Sequence, residues 1–296
     1  MITRLKGLSP LLAKELAERM RARRTPWVIA LYLVLMGGIV LAVIHLETSG
    51  DGYFNPRRSR DFFTLLAAAQ LAMVALITPG LTAGAISGER ERQTLNLLLT
   101  TQLTPFGIVV NKFLSAIAFI ILLILAALPV YSVVFLYGGV SPGEIGRMLL
   151  FFLVTIMGFG SLGILTSTVI RRTSMATTTA YGVLFAYTAG TLIAGALAER
   201  FYMQALRTTA EFTPSLPARP PLLPHFLQSI NPIPIVFRLF QPPERWGAPG
   251  MQLPDPYFIY LAFWVILSAL LLFSAGYLLT PGRRPLFLRG RDVGSR

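Results

Sequence analysis

The sequence predicts an all-α protein embedded in a membrane. Hydrophobic residues fill 54% of 296 positions against 13% charged, and the mean hydropathy is +0.64, outside the balance of a water-soluble domain. Six apolar runs reach the roughly 20 residues that a helix needs to cross the hydrocarbon layer. They are Trp27 to Leu46, Phe62 to Ala83, Phe113 to Tyr137, Met148 to Ile170, Thr177 to Ala198 and Tyr257 to Leu279. None carries a charge at mid-depth, as expected where water cannot solvate one. The chain reads as one transmembrane domain over residues 1–296.

Each segment between these runs has its own chemistry. Before the first span, Leu12, Leu16 and Met20 recur every fourth position between Ser9 and Arg24, while Lys14, Glu15, Glu18, Arg19 and Arg21 take the other sides. This predicts an amphipathic interfacial helix within residues 1–26, its Arg19 to Arg24 end resting among anionic lipid headgroups. A cleaved signal peptide fits less well, because the stretch Glu47 to Asp51 has no small-residue cleavage site. Hydroxyl–proline pairs mark helix starts at Ser9-Pro10, Thr25-Pro26, Thr104-Pro105 and Ser141-Pro142, and Glu144 completes a capping box with Ser141.

Basic residues number 26 against 13 acidic ones. The N-terminal segment, the loop after span two, Arg171-Arg172 and the tail over 280–296 carry 17 of them, and the opposite loops carry 9. An even number of spans puts both termini on one side, and this bias places that side in the cytoplasm. Arg57, Arg58 and Arg60 in the first outer loop run against the rule, flanked by Asp51 and Asp61. No basic patch is interleaved with aromatics, so nucleic acid is not an expected partner. Residues 199–256 form the longest non-membrane stretch, and twelve prolines between Pro214 and Pro256 exclude a packed sheet or a long helix there. It reads as an extracytoplasmic cap, or as a linker, in which Asn231 to Phe240 forms a short apolar helix.

The chemistry of catalysis is missing. Cysteine is absent, which removes disulfides, thiolate metal sites and thiol nucleophiles. His45 and His225 have no partner at metal-ligand spacing, and Arg90 and Arg92 neutralise Glu89 and Glu91. There is no G-x-x-x-x-G-K-[ST] loop, so no P-loop cradle for ATP lies on this chain. No catalytic, cofactor or metal site is expected.

The most informative segment follows span two. Pro79-Gly80 precedes Gly88-Glu89-Arg90-Glu91-Arg92, then Thr94-Leu95-Asn96-Leu97-Leu98-Leu99, then Thr101-Gln102-Leu103-Thr104-Pro105 and Lys112. On a short helix Leu95, Leu98 and Leu99 share a face that needs covering, either by the protein's own helix ends or by a groove on a partner. Spacing alone does not choose between them. The segment resembles the type-2 ABC (ATP-binding-cassette) transporter permeases, mostly exporters. Their pattern is a Gly-Glu-Arg-like cluster, a Thr-Leu-x-x-Leu-Leu run, a Thr-x-Leu-Thr/Ser-Pro turn and a lysine before span three. The match is closest over 83–112 and departs at Gln93, where the family often has glycine.

That resemblance implies a coupling helix over Glu89 to Leu99 in the cytoplasmic loop 84–112, seated in a cleft of a separate ABC ATPase subunit that holds ATP and Mg. Glu89, Arg90, Glu91, Arg92, Thr94, Leu95, Leu98 and Leu99 are then the coupling residues. It also implies a second permease chain, identical or related, in a bacterial or archaeal cytoplasmic membrane. Gly182, Ala186, Gly190, Ala194 and Ala198 form a small-x-x-x-small stripe on span five, suited to close packing against that second chain or against span two or four. Pro79, Gly80 and Pro129 are candidate hinges. Alternating access follows as the expected mechanism. The rivals are an ion-coupled transporter acting alone and a scaffold that anchors an ATPase without moving a substrate. Spans with only hydroxyls and amides, such as Thr64, Gln70, Thr78, Thr155 and Ser161, weigh against ion coupling.

Overall fold

A computed structural model of the chain describes residues 21, 25–48, 56–95, 104–136, 140–212, 221–240 and 253–280. The expected N-terminal interfacial helix, Leu98, Leu99, Ala218-Arg219 of the loop and the basic tail past Thr280 lie outside the described residues. Among the described residues all regular structure is helical: α1 (Thr25–Thr48), α2 (Pro56–Thr82), α3 (Ser87–Glu91), α4 (Pro105–Leu136), α5 (Pro142–Val169), α6 (Thr173–Phe212), α7 (Leu222–Ile230), α8 (Pro232–Arg238) and α9 (Pro256–Leu279). Among the described residues five helical stretches are long and apolar enough to cross a membrane: Arg60–Glu91, Pro105–Ser132, Pro142–Val169, Thr173–Thr208 and Pro256–Leu279. The expected first span corresponds to α1, whose described apolar part, Pro26–Ala42, is shorter.

Helix starts follow side-chain chemistry. Ser141 Oγ accepts from Glu144 N at 3.3 Å while Ser141 N donates to Glu144 Oε2 at 2.6 Å, with Pro142 filling a position that needs no N–H. Thr104 Oγ1 accepts from Gly107 N at the head of α4. Asn231 and Asp255 play the same part for α8 and α9, each followed by proline.

One boundary differs from expectation. The run expected to end at Ala198 continues as helix to Phe212, because residues 199–212 contain no proline and the first one falls at Pro214. At 1.5 Å per residue α6 is about 60 Å long, twice the roughly 30 Å hydrocarbon layer, so one end projects beyond the lipid.

α5 is the centre of the bundle: 67% of its apolar window is buried, against 17% for α6. It is flanked by α2 on one side and α9 on the other, and close approach depends on glycine. A Cβ at Gly158 would lie 2.0 Å from the Trp264 ring, and one at Gly163 would lie 1.9 Å from Thr82 Oγ1. Above them Thr155 Oγ1 and Tyr260 OH share a hydrogen bond of 2.7 Å, and Phe159 meets Trp264 edge-on at 5.4 Å. At the end away from α3, the carbonyl of Ile230 between α7 and α8 accepts from both Tyr187 OH and Trp264 Nε1. Asn231 Nδ2 donates to Thr188 O and Thr191 Oγ1, both at 2.7 Å. The proline-rich segment is thereby held against α6 and α9 although Pro232 and Pro234 remove two backbone donors.

Gly163→Ala is expected to force α2 and α5 apart and to destabilise the protein by about 1–3 kcal/mol. Thermal unfolding in detergent should register the loss. Gly146→Ala, inside α5 where nothing lies within 4 Å, should leave the midpoint in place or raise it slightly, since glycine costs about 0.5–1 kcal/mol in a helix interior.

Candidate coupling site

The loop that joins α2 to α4 folds back onto the bundle. α2 ends at Thr82, the chain turns through residues 83–86, and α3 occupies Ser87–Glu91. It stops there, not at Leu99, because Gln93 adopts φ 58°. Thr94 N reaches Glu89 O at 3.0 Å and Gln93 N reaches Arg90 O at 3.1 Å, the Schellman pattern that closes a helix with a left-handed residue. The position where the family often has glycine is therefore the one that needs glycine's conformational freedom.

The charges of the cluster turn inward. Glu89 Oε1 lies 2.8 Å from Lys112 Nζ at the start of α4, and its Oε2 accepts from the Thr94 hydroxyl. Arg90 Nη2 donates to Thr168 O at 3.1 Å, filling a last-turn carbonyl of α5. Glu91 accepts from Thr173 N at 2.9 Å and from Thr173 Oγ1 at 2.7 Å, at the head of α6. Arg92 and Gln93 are exposed. α3 follows Ala83, where the apolar run of the second span ends, and there burial pushes the Glu89 carboxyl up. The Lys112 ammonium, the Thr94 hydroxyl and nearby Arg92 outweigh that effect and hold it below its ordinary value. Glu91 is also lowered, chiefly by the Thr173 amide and then its hydroxyl.

Ser167 of α5 was not singled out by sequence. Its Oγ accepts from Ile86 N and Ser87 N, each at 2.9 Å, and donates to Ser87 Oγ at 3.3 Å. Both serines are fully buried. Thr173, following Arg171-Arg172 at a helix start, offered a capping signal that sequence reading passed over.

The remaining predicted residues are dispersed. Leu95 is buried in the protein's own core, so its side chain is covered from within, while Leu98 and Leu99 lie outside the described residues. On α6, Gly182, Ala186, Gly190 and Ala194 are exposed and Ala198 is half-buried. A Cβ at Gly182 or Gly190 would meet nothing within 4 Å, so the stripe does not pack against α2 or α5. Pro79 lies inside α2 and Pro129 inside α4. Beside Pro79-Gly80, Tyr181 of α6 donates its hydroxyl to Leu76 O, and the Tyr181 hydroxyl oxygen lies 2.9 Å from where a Gly80 Cβ would stand. Next to this tie an apolar cleft of about 460 Å³ opens between α2, α6 and α8, lined by Leu71, Leu76, Phe159, Phe185, Ile233 and Phe237 among others.

A bundle of long apolar helices with a bonded polar elbow at one end and an apolar cleft between α2, α6 and α8 is the architecture of an integral membrane protein. The family model described as ABC-2 family transporter protein matches residues 9–279, and the chain belongs to that family. Permeases of this family generally act with ABC ATPase subunits. No curated protein matches the sequence.

Gln93→Gly is expected to stabilise the loop by about 1 kcal/mol, since an L-residue in the left-handed region costs roughly that much. Gln93→Val should destabilise it, and both shifts should appear in thermal unfolding. Because Glu89 is held below its ordinary value of 4.5, its pairing contributes stability that is fully present above that pH and is lost as the pH falls through the lower folded value. The unfolding midpoint should therefore drop more steeply below pH 4.5 in the wild type than in Glu89→Gln.

Proposed function

We propose that the chain is the membrane-spanning subunit of an ATP-driven exporter, with six spans and both termini in the cytoplasm. ATP and Mg are bound by a separate ATPase subunit, and two permease chains, identical or related, enclose the path. The observation that carries this reading is the α3 elbow. A five-residue polar helix at one end of the bundle touches the ends of α4, α5 and α6 through charged side chains. A push on that elbow reaches several spans at once, as coupling to an outside motor requires.

Arg92, exposed beside Gln93, and Leu98 with Leu99 are the residues we assign to ATPase contact. Glu89, Arg90, Glu91, Thr94 and Leu95 hold the elbow to its own bundle. The open stripe Gly182-Ala186-Gly190-Ala194 suits a close helix contact with the second permease chain, since lipid supplies no hydrophobic drive and small faces permit backbone approach. Pro79-Gly80 and Pro129 are the proposed bending points of α2 and α4. The apolar cleft between α2, α6 and α8 favours a hydrophobic or amphipathic cargo.

Mild-detergent purification of the tagged chain should bring down a P-loop ATPase with two permease copies or a related pair. Arg92→Glu should reduce the captured ATPase by at least about tenfold. Gly190→Leu should shift the permease from dimer to monomer. An isolated monomer that transports in vesicles without ATP would establish the ion-coupled alternative instead.

A further inference from the structure

α3 is too short to persist alone, because a five-residue helix does not repay its nucleation cost. Its first amides need acceptors, yet the residue preceding it, Ile86, offers no side-chain cap. Ser167 of α5 supplies one from across the bundle, accepting from Ile86 N and Ser87 N at once. The exchange is returned twice. Arg90 of α3 donates to the Thr168 carbonyl at the end of α5, and Glu91 of α3 accepts from the Thr173 amide and hydroxyl at the start of α6. Three residues, Ile170 to Arg172, join α5 to α6. The α3 helix and the α5–α6 turn thus cap each other, and neither set of terminal groups is satisfied without the other. α4, by contrast, is tied to α3 through the Glu89–Lys112 ion pair.

We infer that Ser167 and Thr173 are positioning residues for coupling: by reciprocal capping they fasten α3 to the α5–α6 hairpin, so that displacement of α3 is delivered to α6. The inference rests on the exporter reading for its use but concerns a mechanical link that is measurable without an ATPase. Glu91 and Arg90 act inside the chain in this scheme, and their removal leaves the exposed docking face in place.

The chain lacks cysteine, so single labels can be placed freely. Spin labels at Gln93→Cys and at exposed Phe185→Cys report the distance between α3 and α6. In detergent the distribution should be narrow for the parent and broad for Ser167→Ala combined with Thr173→Ala. Thr173→Ser in place of Thr173→Ala restores the hydroxyl that bonds Glu91 and should narrow the distribution again. Ser274→Ala, whose hydroxyl bonds only its own helix at Leu270 O, serves as the control. In vesicles with the co-purified ATPase, the double variant should retain the ATPase and its basal hydrolysis while transport per ATP falls by about tenfold, the scale of one charge-assisted hydrogen bond. An unchanged distance distribution, or transport per ATP equal to the parent's, would overturn the inference with the exporter reading intact. A broadened distribution in a chain that captures no ATPase would uphold the link and remove the exporter reading. Loss of the ATPase from the double variant alone would also overturn it, since α3 would then be a docking surface.

Discussion

The close approach of α2 and α5 at Gly163 sets the geometry of the whole polar end of the bundle. With no side chain there, Thr82 and the Ala83 backbone lie directly against α5. One turn further along α5, Ser167 comes within reach of the Ile86 and Ser87 amides, and Thr168 presents its carbonyl to Arg90. Helices in lipid gain nothing from hiding apolar surface from one another. Contact must come from close packing and from hydrogen bonds that the lipid cannot offer, and a single larger residue at 163 would forfeit both.

The opposite end rests on the same principle with different residues. α7 and α8 are separated at Asn231, whose side chain caps α8 through Ile233 N and also donates to Thr188 O and Thr191 Oγ1 on α6. The Ile230 carbonyl, released by the break, takes two donors from Tyr187 and Trp264. Trp264 reaches that carbonyl because Gly158 leaves room for its ring against α5. At both places, then, a glycine on α5 admits a partner, and polar groups freed at a helix terminus are satisfied by a side chain from another helix.

What was legible in the sequence was whatever depends on neighbours along the chain. Apolar length marked the spans, and Thr104-Pro105 and Ser141-Pro142 with Glu144 marked starts that the helices keep. The elbow was visible as a mixed-charge cluster, but the destination of each charge was not. Ser167 bonds a segment eighty residues away, and a buried serine in an apolar helix looks the same whether it bonds its own backbone or another helix's. The left-handed Gln93 separates the charged turn Glu89 to Arg92 from Leu95, a break that the run of charges and leucines does not announce. The extension of α6 to Phe212 was missed for a simpler reason: the proline count of the loop was applied to a stretch that contains none.

The faces of α6 separate two roles that one helix rarely holds together. Tyr181, Thr188 and Thr191, with Gly195 against Gln228, follow the three-and-four spacing and turn toward α2, α7 and the Asn231 break. Gly182, Ala186, Gly190 and Ala194 lie about 100–220° around the helix from Tyr181 and stay open. The bonded face fixes where α6 lies relative to the bundle, with Thr173 anchoring its head to Glu91. Among the described residues, nothing stands within 4 Å of a Cβ built at Gly182 or Gly190. A helix bonded along one side and small along another keeps its place in the bundle through residues that its small face does not share.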